Sequence, residues 1–416
     1  MLGDVRDLAI FNGVPEFDPP RYVGLPNVGD RGALFTLLDG VLDRRWLSNG
    51  GPLVQEFERK VASVAGVRYC VATASGTVAL ELAIRAADLS GEVIVPAFTF
   101  AATVHAVRWM GLTPVLCDVD PETGNLDPAQ VAARVTARTS GIVAAHLWGR
   151  PCAVTELTDV ADRHGLTLIF DAAQAFGARY RGRPVGGSGV AEVFSFHATK
   201  LVNAFEGGAV ATDDRGVAAR VRAMHNFGIV GDDEVALTGT NGKMSEAAAA
   251  MGLVSLAAMP SFVERERHNH LRYRQVLAGL PGLTLLPPDP DSPPSYHYVV
   301  VRVDRDRLGL HRDELMAVLR AEGVMARRYF YPGCHRMAPY STDTGAADDA
   351  AFPHTDALAD SLLTLPSGMA VDDRDIGRIA ELVGVAAAHA PAVAARLGLP
   401  GQDEAAERGQ VIGRGT

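Results

Sequence analysis

A chain of 416 residues, 48% hydrophobic and 21% charged, has the apolar material for a large core and the length for two domains. Its 39 basic residues against 49 acidic ones, a formal charge of -10, argue against the global basic footprint of a nucleic-acid-binding protein. Cys70, Cys117, Cys152 and Cys334 lack CxxC spacing, which argues against a zinc site or a disulfide framework and for reduced thiols.

The start, MLGDVRDLAI, is acidic where a signal peptide is basic, and no apolar run approaches a membrane span. A cytoplasmic protein with no metal and no membrane partner is expected. Residues 1–25, rich in Pro and Gly, read as an extended arm. LVQEFERKVASVA has helical apolar spacing and ends at Gly66; VRYCVATASG then reads as a strand reaching a small-residue turn, and TVALELAIRAA as the next helix. EVIVP, TPVLCDV, GIVAAHL and LTLIFDAA follow as strands, separated by helices near 101–110, 128–135 and 154–164. Strands alternating with helices at this spacing predict an α/β fold with a mostly parallel sheet covered on both faces. EVFSF and GGAVAT are close enough to pair with each other, antiparallel or at an edge. A long helical stretch over 253–277 reads as a connector from a large domain, 26–270, to a smaller α+β domain, 271–395. From about Gly401 the residues are polar without periodicity, and 396–416 read as a disordered tail.

Ligands in open α/β sheets bind at the carboxyl ends of the strands, where four groups stand. Ser75, Gly76 and Thr77 lie between a strand and a helix, where free amides and the helix dipole can hold a phosphate; taken alone they also suit a plain N-cap. Phe98 and Phe100 follow EVIVP and can stack on a flat ring or pack the core. Asp171 ends a buried strand and needs a cation or donors, which a protonated pyridine nitrogen would supply; Gln174 follows it, and a helix cap is the bland alternative. Ser195, His197 and Lys200 follow EVFSF, where Phe194, Phe196 and Phe205 can desolvate the lysine amine into a nucleophile, although a solvated loop lysine is the common case. In combination they describe a pyridoxal 5'-phosphate (PLP) site.

The motifs WLSNGGPLVQEFE, ASGTVALELA, PAFTFAAT, DVDPETGNLD, HLWGRP, DAAQAFGA, SFHATK, FEGGAV, TNGKMSEAAAAMG and FYPGCH resemble the DegT/DnrJ/StrS family of PLP-dependent sugar aminotransferases from about Arg44 to Val383. That resemblance implies the aspartate-aminotransferase-like PLP fold (fold type I), with Lys200 as the Schiff-base lysine and proton shuttle. It implies Asp171 on the pyridine nitrogen, Gln174 on the ring hydroxyl, Ser75, Gly76, Thr77 and Ser195 on the phosphate, and Phe100 stacked on the ring. It also implies a homodimer in which Asn241 reaches the partner's phosphate, with His225 and Asn226 as lesser interface candidates. His197 is expected to touch substrate or order the site, and Arg327, Arg328, Tyr331 and His335 to meet the nucleotide sugar. Lysine at position 200 separates the chain from the family's dehydratase branch, which carries histidine there. The motif set is most similar to members aminating C4 of dTDP-4-keto-6-deoxy-D-glucose in the desosamine pathway, with glutamate as donor and pyridoxamine 5'-phosphate as the amino-bearing form. A 3-keto sugar or keto-cyclitol aminotransferase, and a non-catalytic PLP-binding regulator, are the alternatives.

Overall fold

Seven short runs of β-branched and small apolar residues form one sheet: β1 (Tyr69–Thr73), β2 (Glu92–Pro96), β3 (Thr113–Cys117), β4 (Thr139–Ala145), β5 (Thr167–Asp171), β6 (Ala191–Ser195) and β7 (Gly208–Thr212). The computed structural model describes residues 4–341 and 352–398. In space the strands run β1-β7-β6-β5-β4-β2-β3, with β7 antiparallel to both neighbours and the other pairs parallel. The expected antiparallel pairing of EVFSF with GGAVAT is present, but β7 lies inside the sheet because its second edge is taken by β1.

Val93, Ile94 and Val95 of β2 are all fully buried, as expected of a parallel strand covered on both faces. One cover is α3 (Gly76–Ala86), α4 (Ala101–Trp109) and α7 (Arg215–Met224), which pack Leu80, Val104 and Val221 onto Val71, Val95 and Val210. The opposite cover includes α2 (Pro52–Ala65) and α6 (Val154–His164), which follow α1 (Arg31–Arg44) and α5 (Pro128–Arg134) in the chain. Phe57 and Val61 of α2 meet Phe194 and Phe196, while Leu157 and Val160 of α6 meet Ile94 and Ile142.

The connector helix, α8 (Glu246–Leu277), starts earlier than its apolar spacing suggests, because Ser245 caps it by accepting from the Ala248 amide. By length and composition α8 is apolar enough to cross a membrane, which corrects the expectation that no segment approaches a span. Ala249, Ala250 and Leu253 of that helix are buried against α2 and α1, the pattern of a core helix. Its far end supplies Tyr273 and Leu277 to a second core. That core is built on an antiparallel sheet of β8 (Leu283–Leu285), β9 (Val299–Val303) and β10 (Leu362–Leu365), with α9 (Arg312–Ala321) and α10 (Asp373–Ala388).

Two expectations for the termini need correction. The N-terminal arm is a packed element: Leu8 and Phe17 are buried in the C-terminal core, and the buried Glu322 carboxylate accepts from the Ala9 and Glu16 amides. At the other end Arg396 and Leu397 belong to a short helix, α11 (Ala390–Leu397); the rest of the tail from 399 lies outside the described residues.

Candidate active site

The carboxyl ends of β1, β2, β4, β5 and β6 converge on a cavity of about 380 Å³. Ser75, Gly76, Thr77, Phe100, Asp171, Gln174, Ser195, His197, Lys200 and Arg327 all reach its wall.

The turn after β1 is shaped by small residues. Ser75 accepts the Val78 amide as N-cap of α3, which leaves the first amides of the helix, at Gly76 and Thr77, without an acceptor inside it. A Cβ on Gly76 would stand 2.8 Å from the Ser195 Cβ, and one on Gly208 would stand 2.4 Å from the Ser75 carbonyl carbon. The FEGG motif therefore lets β7 run directly against this turn. The result is a cradle of free amides at a helix N-terminus, flanked by the Ser75, Thr77 and Ser195 hydroxyls, which suits a phosphate.

At the end of β5 the Asp171 carboxylate is oriented from two sides: Thr103 Oγ1 donates to Oδ2 at 2.7 Å and the Ala173 amide to Oδ1 at 3.1 Å. Behind it, His146 stacks on Phe170 with centroids 5.0 Å apart and accepts the Cys152 amide at 3.1 Å. Gln174, also on the wall, is held through its Oε1, which accepts the Trp148 amide at 2.7 Å. Phe100 stands 61% exposed at the mouth, its ring tilted against Phe330.

The sequence contains three lysines. Lys60 pairs with Glu56 on the surface, Lys243 donates to Asn226 Oδ1, and only Lys200 lines the cavity. Desolvation holds the Lys200 amine down to about 8, although the Asp171 carboxylate pulls it up. An amine so placed is available as a nucleophile near neutral pH. His197 Nδ1 contacts the Thr199 hydroxyl at 2.9 Å, and its Nε2 lies 3.5 Å from Glu206 Oε1. Glu206, Thr103, His146, Tyr298 and Tyr329 are wall or supporting residues to which the sequence gives no role. Four of them sit within or beside the quoted motifs, which was the available signal.

Of the residues expected at the sugar or the phosphate, four do not reach the wall: Arg328, which pairs with Asp313 at 3.2 Å, His335, Tyr331 and Asn241. His335 is buried outside it, stacked on Phe352 and bonded to Asp356 at 2.9 Å, because the Cys334 amide ties its segment to the Ala97 carbonyl. Tyr331 faces outward, with the Arg328 guanidinium 4.2 Å from its ring centre. Asn241 is exposed and bridges to Asn226, on a segment whose Gly242 carbonyl accepts the Ala74 amide beside the Ser75–Thr77 turn.

The profile of the DegT/DnrJ/EryC1/StrS aminotransferase family matches residues 31–384. The chain is 33% identical over 360 residues to the dTDP-4-amino-4,6-dideoxy-D-glucose transaminase of Escherichia coli, covering 86% of this chain and 96% of that protein. It is 36% identical over 321 residues to the dTDP-3-amino-3,4,6-trideoxy-alpha-D-glucose transaminase of Streptomyces venezuelae, covering 76% and 83% respectively. Among solved structures, DesI in the presence of its TDP-sugar product superposes with a TM-score of 0.91 at 55% identity, covering 95% of this chain and all of that one. The chain belongs to the DegT/DnrJ/EryC1/StrS aminotransferase family and is a PLP-dependent sugar aminotransferase with the fold of that family.

Proposed function

We propose that this enzyme moves the amino group of glutamate to C4 of dTDP-4-keto-6-deoxy-D-glucose, giving dTDP-4-amino-4,6-dideoxy-D-glucose in cytoplasmic deoxyaminosugar and antibiotic biosynthesis. The observation that carries the site is the lone cavity lysine, Lys200, held near pKa 8 opposite a carboxylate already oriented by Thr103. The sugar assignment is supported by the 55% identity to DesI and by the E. coli relative, whose name contains the same amino sugar.

The residues present fit PLP: a cradle that a Cβ would fill, an oriented carboxylate and a desolvated amine. When bound, PLP supplies an electron sink through its protonated ring. Ser75, Gly76, Thr77 and Ser195 would bind the phosphate, Asp171 would keep the ring nitrogen protonated, and Phe100 and Gln174 would fix the ring. Lys200 Nζ would hold the cofactor covalently at rest and, once released, move the proton to and from the sugar carbon. His197 and Arg327 would meet the sugar and its diphosphate, the guanidinium as a charge-assisted donor. Tyr331 and His335 would contribute only through movement of their segment.

A homodimer with shared sites is part of this reading. Phe35, Leu42, Trp46 and Leu47 present an exposed apolar face, as do Phe227, Val230 and Val235 near Asn241. Asn241 would then reach the phosphate of the partner's site.

Incubation with glutamate and dTDP-4-keto-6-deoxy-D-glucose, followed by NMR of the product, tests the assignment. Nitrogen at C4 is expected. Absence of an amino sugar from the 4-keto substrate, with amination when a 3-keto sugar is supplied instead, would replace the substrate; C3 is the position in the name of the S. venezuelae relative. Failure of glutamate to bleach the visible cofactor absorbance would favour the non-catalytic alternative.

A further inference from the structure

His297 precedes β9 and is buried, as is Glu266 on α8. Its Nδ1 lies 2.8 Å from Glu266 Oε1 and its Nε2 lies 2.8 Å from the Thr199 carbonyl oxygen. A carbonyl oxygen only accepts, so Nε2 carries a proton. An unprotonated Nδ1 would turn its lone pair onto a carboxylate oxygen, so a second proton lies between Nδ1 and Oε1. Imidazole is the stronger base, and the Ser367 hydroxyl already donates to Glu266 Oε2 at 2.5 Å, which favours the carboxylate form. Both protons therefore sit on the ring. Glu266 pairs with no lysine or arginine among the described residues, so the imidazolium is its counter-charge.

The Thr199 carbonyl belongs to the same planar peptide as the Lys200 amide, which donates to the His197 carbonyl at 2.9 Å. Both polar groups of that peptide are thus anchored, one to the Lys200 loop itself and the other to the C-terminal unit. With its plane held, the N–Cα bond from which the Lys200 side chain starts is held as well. Gly368 makes the approach possible, since a Cβ there would come within 2.7 Å of Glu266 Oε1.

We propose that His297 is a positioning residue held as a buried imidazolium by Glu266, and that it aims Lys200 into the cavity by pinning the Thr199–Lys200 peptide. The groups facing it are Glu266 and, across the 366–368 segment, Ser367; Tyr298, whose ring stands edge-on at 4.9 Å; and the Thr199 carbonyl. The positioning role rests on the reading of Lys200 as the cofactor lysine, whereas the protonation state does not.

Holoenzyme labelled with 15N-histidine, compared with His297→Gln, tests the protonation. An imidazolium whose two ring protons are exchange-protected, and which is lost in the variant, is expected. A spectrum with no such species, or one that survives in His297→Gln, overturns the proposal even if the variant folds poorly. For positioning, His297→Gln should shift the pH midpoint of the visible cofactor absorbance and lower kcat by about tenfold to a hundredfold with little change in KM. Glu266→Gln, whose amide can donate to Nδ1 while Nε2 keeps its proton for Thr199, should lose the imidazolium signal and retain most of kcat. An unshifted midpoint with unchanged kcat in His297→Gln overturns the positioning role. Attachment of the cofactor to a lysine other than Lys200 would instead remove the reading on which that role rests.

Discussion

Desolvation takes the Lys200 amine from 10.5 to about 8, so the native state disfavours the charged lysine. Below pH 8 both folded and unfolded chains are protonated and the cost is fully present. Between about 8 and 10.5 only the unfolded chain keeps the proton, so this contribution to stability rises with pH. Cofactor-free Lys200→Met should therefore be more stable than the parent near pH 7 by up to about 3 kcal/mol. Denaturant titrations should show the gap closing across pH 8 to 10.5, and a constant gap would contradict the desolvated amine. Thr103→Val should loosen Asp171 and cost about 1.5–3 kcal/mol through the lost bond to a charged acceptor, with weaker PLP binding in a cofactor titration. Lys200 and Asp171 were legible in the sequence because each follows an apolar strand in a recognisable motif. Thr103 was not, since its partner lies 68 positions away and only the fold brings them together. Glu206 is similar: a turn residue by sequence, it becomes a cavity residue beside His197.

Among the elements, the Ser75–Thr77 turn proposed to bind the phosphate depends on how closely β7 can approach the start of α3. Gly208→Ala places a methyl 2.4 Å from the Ser75 carbonyl carbon, and backbone cannot yield as a flexible side chain would. A loss of about 1–3 kcal/mol and a weakened PLP affinity are expected, measured by chemical denaturation and by cofactor titration. Neutral behaviour would mean that the turn tolerates displacement and does not define the phosphate cradle. The strands and helices of the large sheet were readable because a parallel strand buried on both faces shows as a continuous apolar run such as EVIVP. The place of β7 within the sheet was not, because local spacing carries no information on which strand occupies its second edge.

For the whole molecule, the N-terminal segment ties the two ends of the chain together. Leu8 is fully buried in the C-terminal core, so Leu8→Ala should cost about 2–5 kcal/mol in equilibrium unfolding. The Pro- and Gly-rich composition concealed this, since the partners of Leu8 come from the opposite end of the sequence. If Asn241 completes the partner's site, mixing Lys200→Ala and Asn241→Ala subunits should restore activity that neither has alone, through one intact site in each mixed dimer. No restoration would place Asn241 outside the site. The proposed chemistry turns on Lys200, and with only three lysines in the chain its attachment to the cofactor can be read directly. Borohydride reduction of the PLP-loaded enzyme, followed by peptide mapping, should leave the cofactor on Lys200 and on neither Lys60 nor Lys243; a label on either of those, or none on Lys200, would contradict it.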